Sequence, residues 1–129
     1  GAGVCVAIEA AGSGARVLVV ERFGGGGATK KSGGVIYAGG GTAVQRAAGF
    51  RDTNEKMYRY LARETGANGK TLRAFCAASV GSLEWLQRLG IRIPEKYYDS
   101  KTTQPPGGYG LYYSGNEKQY TGDDPVPRR

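Results

Sequence analysis

The apolar positions of the chain change period three times, and each change predicts a different element. Between Gly1 and Arg16 the small apolar residues Ala7, Ile8, Ala10 and Ala11 stand on one helical face, which predicts a glycine turn followed by a first helix lying close against a sheet. Val17, Leu18, Val19 and Val20 then form an unbroken, mostly β-branched run, the composition of a strand buried on both faces of a parallel sheet. Helical spacing returns further on. Met57, Tyr60 and Leu61 share a face in a helix that Asp52 or Thr53 can cap, with Glu55 three residues after Asp52 as in a capping box and Gly66 as the stop. A shorter helix precedes it after Gly41. From about Lys70 to Leu89, the residues Leu72, Phe75, Cys76, Val80, Leu83, Leu86 and Leu89 predict a second long helix ended by Gly90, with Trp85 in its apolar stripe. Ile91-Arg92-Ile93 alternates as a short strand up to Pro94. Beyond it Tyr97, Tyr98, Tyr109, Tyr112, Tyr113 and Tyr120 follow turn signals and read as a half-exposed hairpin, before a ragged end at Asp123 to Arg129.

Composition narrows the picture. The 129 residues, 40% hydrophobic and 22% charged, suit one soluble globular domain, and 23 glycines point to many turns set by the backbone. The net charge of +7 comes from scattered Lys and Arg with no polybasic run, which argues against nucleic acid as a partner. No apolar run approaches a membrane span and no signal peptide opens the chain, so a cytoplasmic location is expected. Two cysteines, Cys5 and Cys76, suit reduced thiols rather than a disulfide framework or a zinc site. The absence of histidine excludes a Ser-His-Asp triad, a His-ligated metal and covalent flavin attachment through histidine.

The chemistry concentrates between Val17 and Gly41. Glu21 ends the apolar run roughly 20 residues after Gly1-Ala2-Gly3, the spacing at which a dinucleotide-binding βαβ unit places an acid on an adenosine ribose. Gly24 to Gly27 and Gly39 to Gly41 lack Cβ atoms, so they can take positive φ and bring N–H groups up to an anion. A Gly-rich linker is the competing reading, but Val35-Ile36-Tyr37 between the glycines is unlike a solvated linker. The third glycine of a G-x-G-x-x-G motif would fall at position 6, where Val6 stands.

Gly1-Ala2-Gly3, IEAA at Ile8 to Ala11, GARVLVVER at Gly14 to Arg22, SGGVIYAGGGT at Ser32 to Thr42 and SLEWLQRLGIRIP at Ser82 to Pro94 together resemble the flavoprotein subunit superfamily of fumarate reductases and succinate dehydrogenases. Within it they look most like 3-ketosteroid dehydrogenase-like, FAD-dependent oxidoreductases, over the first part of the family's length. The resemblance implies an α/β fold: a partial Rossmann-like FAD-binding domain, its first strand missing, followed by two helices and a short β-rich segment. The division expected is 1–50 for the dinucleotide-binding βα and Gly-rich loop, 51–90 for the helices and 91–129 for the hairpin and loops.

The same resemblance implies a non-covalently held FAD. Gly1, Gly3, Glu21 and Arg22 would be among its contacts, with Glu21 on the adenosine ribose. Gly26, Gly27, Ala28, Thr29, Ser32, Gly33 and Gly34 would line the pyrophosphate and ribityl part, with Thr29 and Ser32 as hydroxyl donors. Tyr37, Ala38, Gly39 and Gly40 would run near the isoalloxazine ring. A steroid- or dicarboxylate-like small molecule is the implied substrate of the complete enzyme, and the chain alone is expected to be inactive, with no catalytic residue assigned. Two further classes stand beside the flavoenzyme: a nucleotide-binding module without turnover, and a non-binding remnant. The absent first strand, the shortened first helix and Val6 raise the last above what the motifs alone suggest, with the flavoenzyme remaining the first reading.

Overall fold

The structure, a computed structural model, describes residues 1–94, residue 96 and the backbone of 111–112. The chain divides into two compact units, Gly1–Gly33 and Gly34–Arg129.

The first unit opens with helix α1, Ala2–Gly12, which begins at Gly1 without a side-chain cap and ends at Ser13, whose hydroxyl donates to the Glu9 carbonyl. The predicted helix is present and stops four residues short of Arg16. The strand expected at Val17–Val20 is not formed: these side chains are 42, 85, 61 and 83% exposed and belong to no ladder. A strand satisfies its N–H and C=O groups only through a neighbour, and among the described residues none pairs with this run. After it the glycines turn the chain into a 3-10 helix, Gly27–Lys31. Gly26 precedes it at φ +87°, where a Cβ would stand 2.9 Å from that of Lys30, so this entry admits glycine alone.

The second unit holds strand β1, Ile36–Tyr37, helices α2, Ala43–Ala47, α3, Asn54–Thr65, and α4, Gly69–Arg88, and strand β2, Leu111–Tyr112. Helix α3 buries Met57, Tyr60 and Leu61 against Leu72 and Cys76 of α4, the face that periodicity indicates. Its cap is Thr53, which accepts from the Lys56 N–H, and Gly66 at φ +60° ends it. The capping box expected of Asp52 and Glu55 is not made, because Glu55 turns outward to Arg59 and Arg73. Helix α4 begins at Asn68, whose side chain accepts from the N–H groups of Lys70 and Thr71. Phe75 and Leu89, placed in its buried stripe by spacing, are instead exposed.

A second cluster gathers Ala38, Val44, Leu83 and Ile93, with Ile36 and Leu86 against it. Ile93 is thus buried, although Ile91–Ile93 is not a strand. β2 pairs with β1 in parallel, Ile36 opposite Leu111 and Tyr37 opposite Tyr112, so Tyr112 belongs to a non-local pair; the rest of the expected hairpin lies outside the described residues. Tyr97, Tyr98, Tyr109, Tyr113, Tyr120 and the Asp123–Arg129 end lie outside the described residues. No helix among the described residues is long and apolar enough to cross a membrane.

Candidate functional site

The residues singled out by sequence fall on both units. In the first, Gly1 stands at the N-terminus of α1, whose first turn carries no acid. A Cβ on Gly1 would come within 3.3 Å of the Thr29 hydroxyl. The glycine turn and the glycine loop therefore approach closely, so that a side chain at Gly1 would press on the Thr29 hydroxyl, and a hydroxyl donor is set beside an uncapped helix end. Gly3 lies in the first turn of the same helix, with open space around it. Glu21 is exposed and one carboxylate oxygen accepts from the Phe23 N–H at 3.1 Å, a local turn that leaves acceptor capacity free. Arg22 lays its guanidinium over the Phe23 ring, 5.3 Å from the centroid. Gly27, Ala28 and Thr29 open the 3-10 helix that Gly26 precedes, Lys30 and Lys31 close it, and Ser32, extended, and Gly33 follow, both exposed.

In the second unit Gly34 precedes β1, Tyr37 ends it, and Ala38, Gly39 and Gly40 lead into α2. Here the structure departs from the simplest use of glycine. The N–H groups of Gly39, Gly40 and Gly41, which their sequence offers to an anion, are donated inward. Gly39 donates to the Ser79 hydroxyl of α4 at 3.1 Å, and Gly40 donates to the Asp52 carboxylate at 2.7 Å. Gly41 and Thr42 both donate to the Gln45 side-chain oxygen, at 3.1 and 3.0 Å. Thr42 and Gln45 complete a capping box on α2.

Asp52 is the centre of this arrangement. Its Oδ2 also accepts from Gln45 Nε2 at 2.8 Å and its Oδ1 from the Thr53 N–H at 2.8 Å, with the residue only 8% exposed. Because the Gln45 amide donates to a carboxylate, its oxygen is forced toward the loop; the reverse orientation would set donor against donor. Burial, with the Asp52 charge as the lesser cause, pushes the nearby Cys76 thiol up from its ordinary value. Ser79, Asp52, Gln45 and Thr42 went unnoticed as a set in sequence. The only local trace is Thr-x-x-Gln at positions 42 to 45, a capping-box spacing. An open cleft of about 570 Å³ lies against this loop, lined by Gly40, Gly41, Arg46, Phe50, Arg51, Asp52, Thr53, Asn54 and Glu55. Arg46 closes one side by donating to the Gly41 carbonyl. No group of His, Cys, Asp and Glu among the described residues is arranged to hold a metal.

Comparison with known proteins bears on this geometry. A family model described as FAD binding domain matches residues 1–117. The chain is 46% identical over 119 residues to a 3-oxo-5-alpha-steroid 4-dehydrogenase of Comamonas testosteroni, a match covering 91% of this chain and 22% of that protein. It also matches the crystal structure of a 3-ketosteroid-delta4-(5alpha)-dehydrogenase from Rhodococcus jostii RHA1 in complex with 4-androstene-3,17-dione, with a TM-score of 0.78 and 41% identity, over 88% of this chain and 24% of that one. The chain thus spans about a quarter or less of the relatives it matches.

Proposed function

The chain belongs to the FAD-binding domain family, and from that premise we propose that it is the N-terminal FAD-binding portion of a ketosteroid dehydrogenase-like flavoenzyme, incomplete as a catalyst without the remainder of such a protein. FAD is its cofactor. The observation that carries the residue-level reading is the close approach of Gly1 to the Thr29 hydroxyl. An uncapped helix end without acid, a hydroxyl and backbone N–H groups of the loop present donors suited to a pyrophosphate. The exposed Glu21 carboxylate suits a ribose diol. By resemblance to the family, Gly26, Gly27, Ala28, Ser32, Gly33 and Gly34 would contact the pyrophosphate and ribityl part of FAD, and Gly3 and Arg22 would be among its further contacts. Tyr37, Ala38, Gly39 and Gly40 run beside the ring, presenting backbone other than the N–H groups committed inward at Gly39 and Gly40. The fold is a partial Rossmann-like one, and the 1–50, 51–90 and 91–129 division assigns the cofactor contacts to its first segment.

When bound, FAD supplies the hydride acceptor or donor; the protein's share is to hold and orient it and exclude water. The complete protein takes a 3-ketosteroid, its hydride and proton leaving adjacent carbons near the ketone. The neighbour's bound steroid supports this class over a dicarboxylate. The test is a titration of the purified chain with FAD, following flavin fluorescence quenching, beside Glu21→Ala. Saturable binding weakened about tenfold or more in the variant is expected, the size of one lost hydrogen bond to a charged group. Absence of saturable quenching by a folded wild-type chain would leave FAD binding as ancestry only.

A further inference from the structure

The three consecutive glycines at 39 to 41 pack against one residue, Asp52, by its side chain at Gly39 and Gly40 and by its backbone at Gly41. A Cβ at Gly39 would lie 3.0 Å from Asp52 Oδ2, Gly40 donates its N–H to that same oxygen, and a Cβ at Gly41 would lie 3.1 Å from the Asp52 carbonyl. Gly40 and Gly41 have φ of +82° and +96°. The loop is glycine because it must lie down on Asp52, and its N–H groups are consumed in doing so. Through Gln45 the same carboxylate reaches the next two N–H groups, those of Gly41 and Thr42. One buried acid thereby sets the path of the whole loop and leaves its charge directly beneath it.

We propose that Asp52 is a positioning residue for the flavin ring, fixing the Gly39–Thr42 loop through Gly40 and Gln45 and lowering the tendency of the bound flavin to accept electrons through its buried negative charge. The proposal rests on the reading that Tyr37 to Gly40 run beside the ring. A fixed anion near the ring opposes the charge that reduction adds, so its removal raises the flavin's potential.

The experiment compares the FAD-loaded wild-type chain with Asp52→Asn, Gln45→Leu and Asn68→Ala, by redox titration and visible circular dichroism of the bound flavin. Asn68→Ala removes only the α4 cap and serves as the control for a general loss of stability. Asp52→Asn is expected to raise the reduced-to-oxidised ratio at a fixed poise about tenfold, roughly 30 mV for a two-electron couple, and to alter the flavin's visible dichroism. Gln45→Leu, which keeps the charge but frees two loop N–H groups, is expected to alter the dichroism with a smaller change of potential. Asn68→Ala should leave both signals as in wild type. Wild-type potential and dichroism in a folded Asp52→Asn overturn the proposal. Should Asp52→Asn not fold, unchanged dichroism in Gln45→Leu does so equally. A wild-type chain that binds no FAD overturns the underlying reading first, and is recognised because no variant comparison is then needed.

Discussion

Replacing Gln45 by leucine tests how much of the second unit's stability lies in polar contacts. Gln45 is 1% exposed and leucine nearly matches its volume, so the change opens little space. What it removes is the acceptor for the Gly41 and Thr42 N–H groups and one donor to Asp52. Each buried N–H left unpaired costs about 1–3 kcal/mol, and the weakened carboxylate adds roughly 1 kcal/mol. The extra apolar burial returns about 1 kcal/mol. Water entering the cleft beside Gly41 can relieve one of the two donors, which sets the lower end. The net expectation is a loss of about 1–6 kcal/mol, read from urea unfolding followed by far-ultraviolet circular dichroism. A loss below about 1 kcal/mol would refute the reasoning, since the N–H groups would then have found other partners. Gln45→Glu gives an independent check. It retains an acceptor for the loop but sets two carboxylates 2.8 Å apart, so the folded state holds a proton that the unfolded chain releases. Its folded pKa is therefore raised; the variant should be closest to wild type below about pH 4.3 and lose stability as pH rises above it.

Met57→Ala, at a residue with no exposed surface in the α3–α4 core, should cost about 2–5 kcal/mol in the same unfolding assay. Gly41→Ala should cost more than Gly66→Ala, which loses only about 1 kcal/mol for its positive φ in open space, because a Cβ at 41 also meets the Asp52 backbone, which cannot swing away. In native protein a thiol reagent should label exposed Cys5 quickly and Cys76 only after urea, as burial both covers the latter and disfavours its thiolate. Hydrogen bonds from Arg59, then Arg73, hold the Glu55 carboxyl below its ordinary range. The contribution is present above that range and is lost as pH falls through the lowered value, so Glu55→Gln should flatten the acid limb of a pH–stability profile.

Helices α3 and α4 were legible because their signals are local. Met57, Tyr60 and Leu61 carry the period, Thr53 and Asn68 can cap, and Gly66 and Gly90 can stop a helix within a few residues of the chain. Placement of the α4 cap two positions before Lys70, at Asn68, follows the same local chemistry. The loop network was not legible. Gly39 finds Ser79 forty positions away and Gly40 finds Asp52 twelve away, and nothing in either neighbourhood announces the other. Sequence left the helix cap to Asp52 or Thr53; burial against the glycines draws Asp52 inward and the cap falls to Thr53. The Val17–Val20 run shows the opposite limit. Its composition is that of a strand, but strand formation belongs to a pair of segments and not to one.

That exposed run also governs how the chain behaves in concentrated solution. Four branched apolar residues without proline, their backbone donors and acceptors unpaired among the described residues, form a template onto which like segments can stack. Arg16 stands on one side and Glu21 and Arg22 on the other, charges that act as gatekeepers against such stacking. Neutralising them should turn a soluble preparation into one that precipitates as its concentration rises, and at low ionic strength the chain's net charge of +7 delays that onset by mutual repulsion.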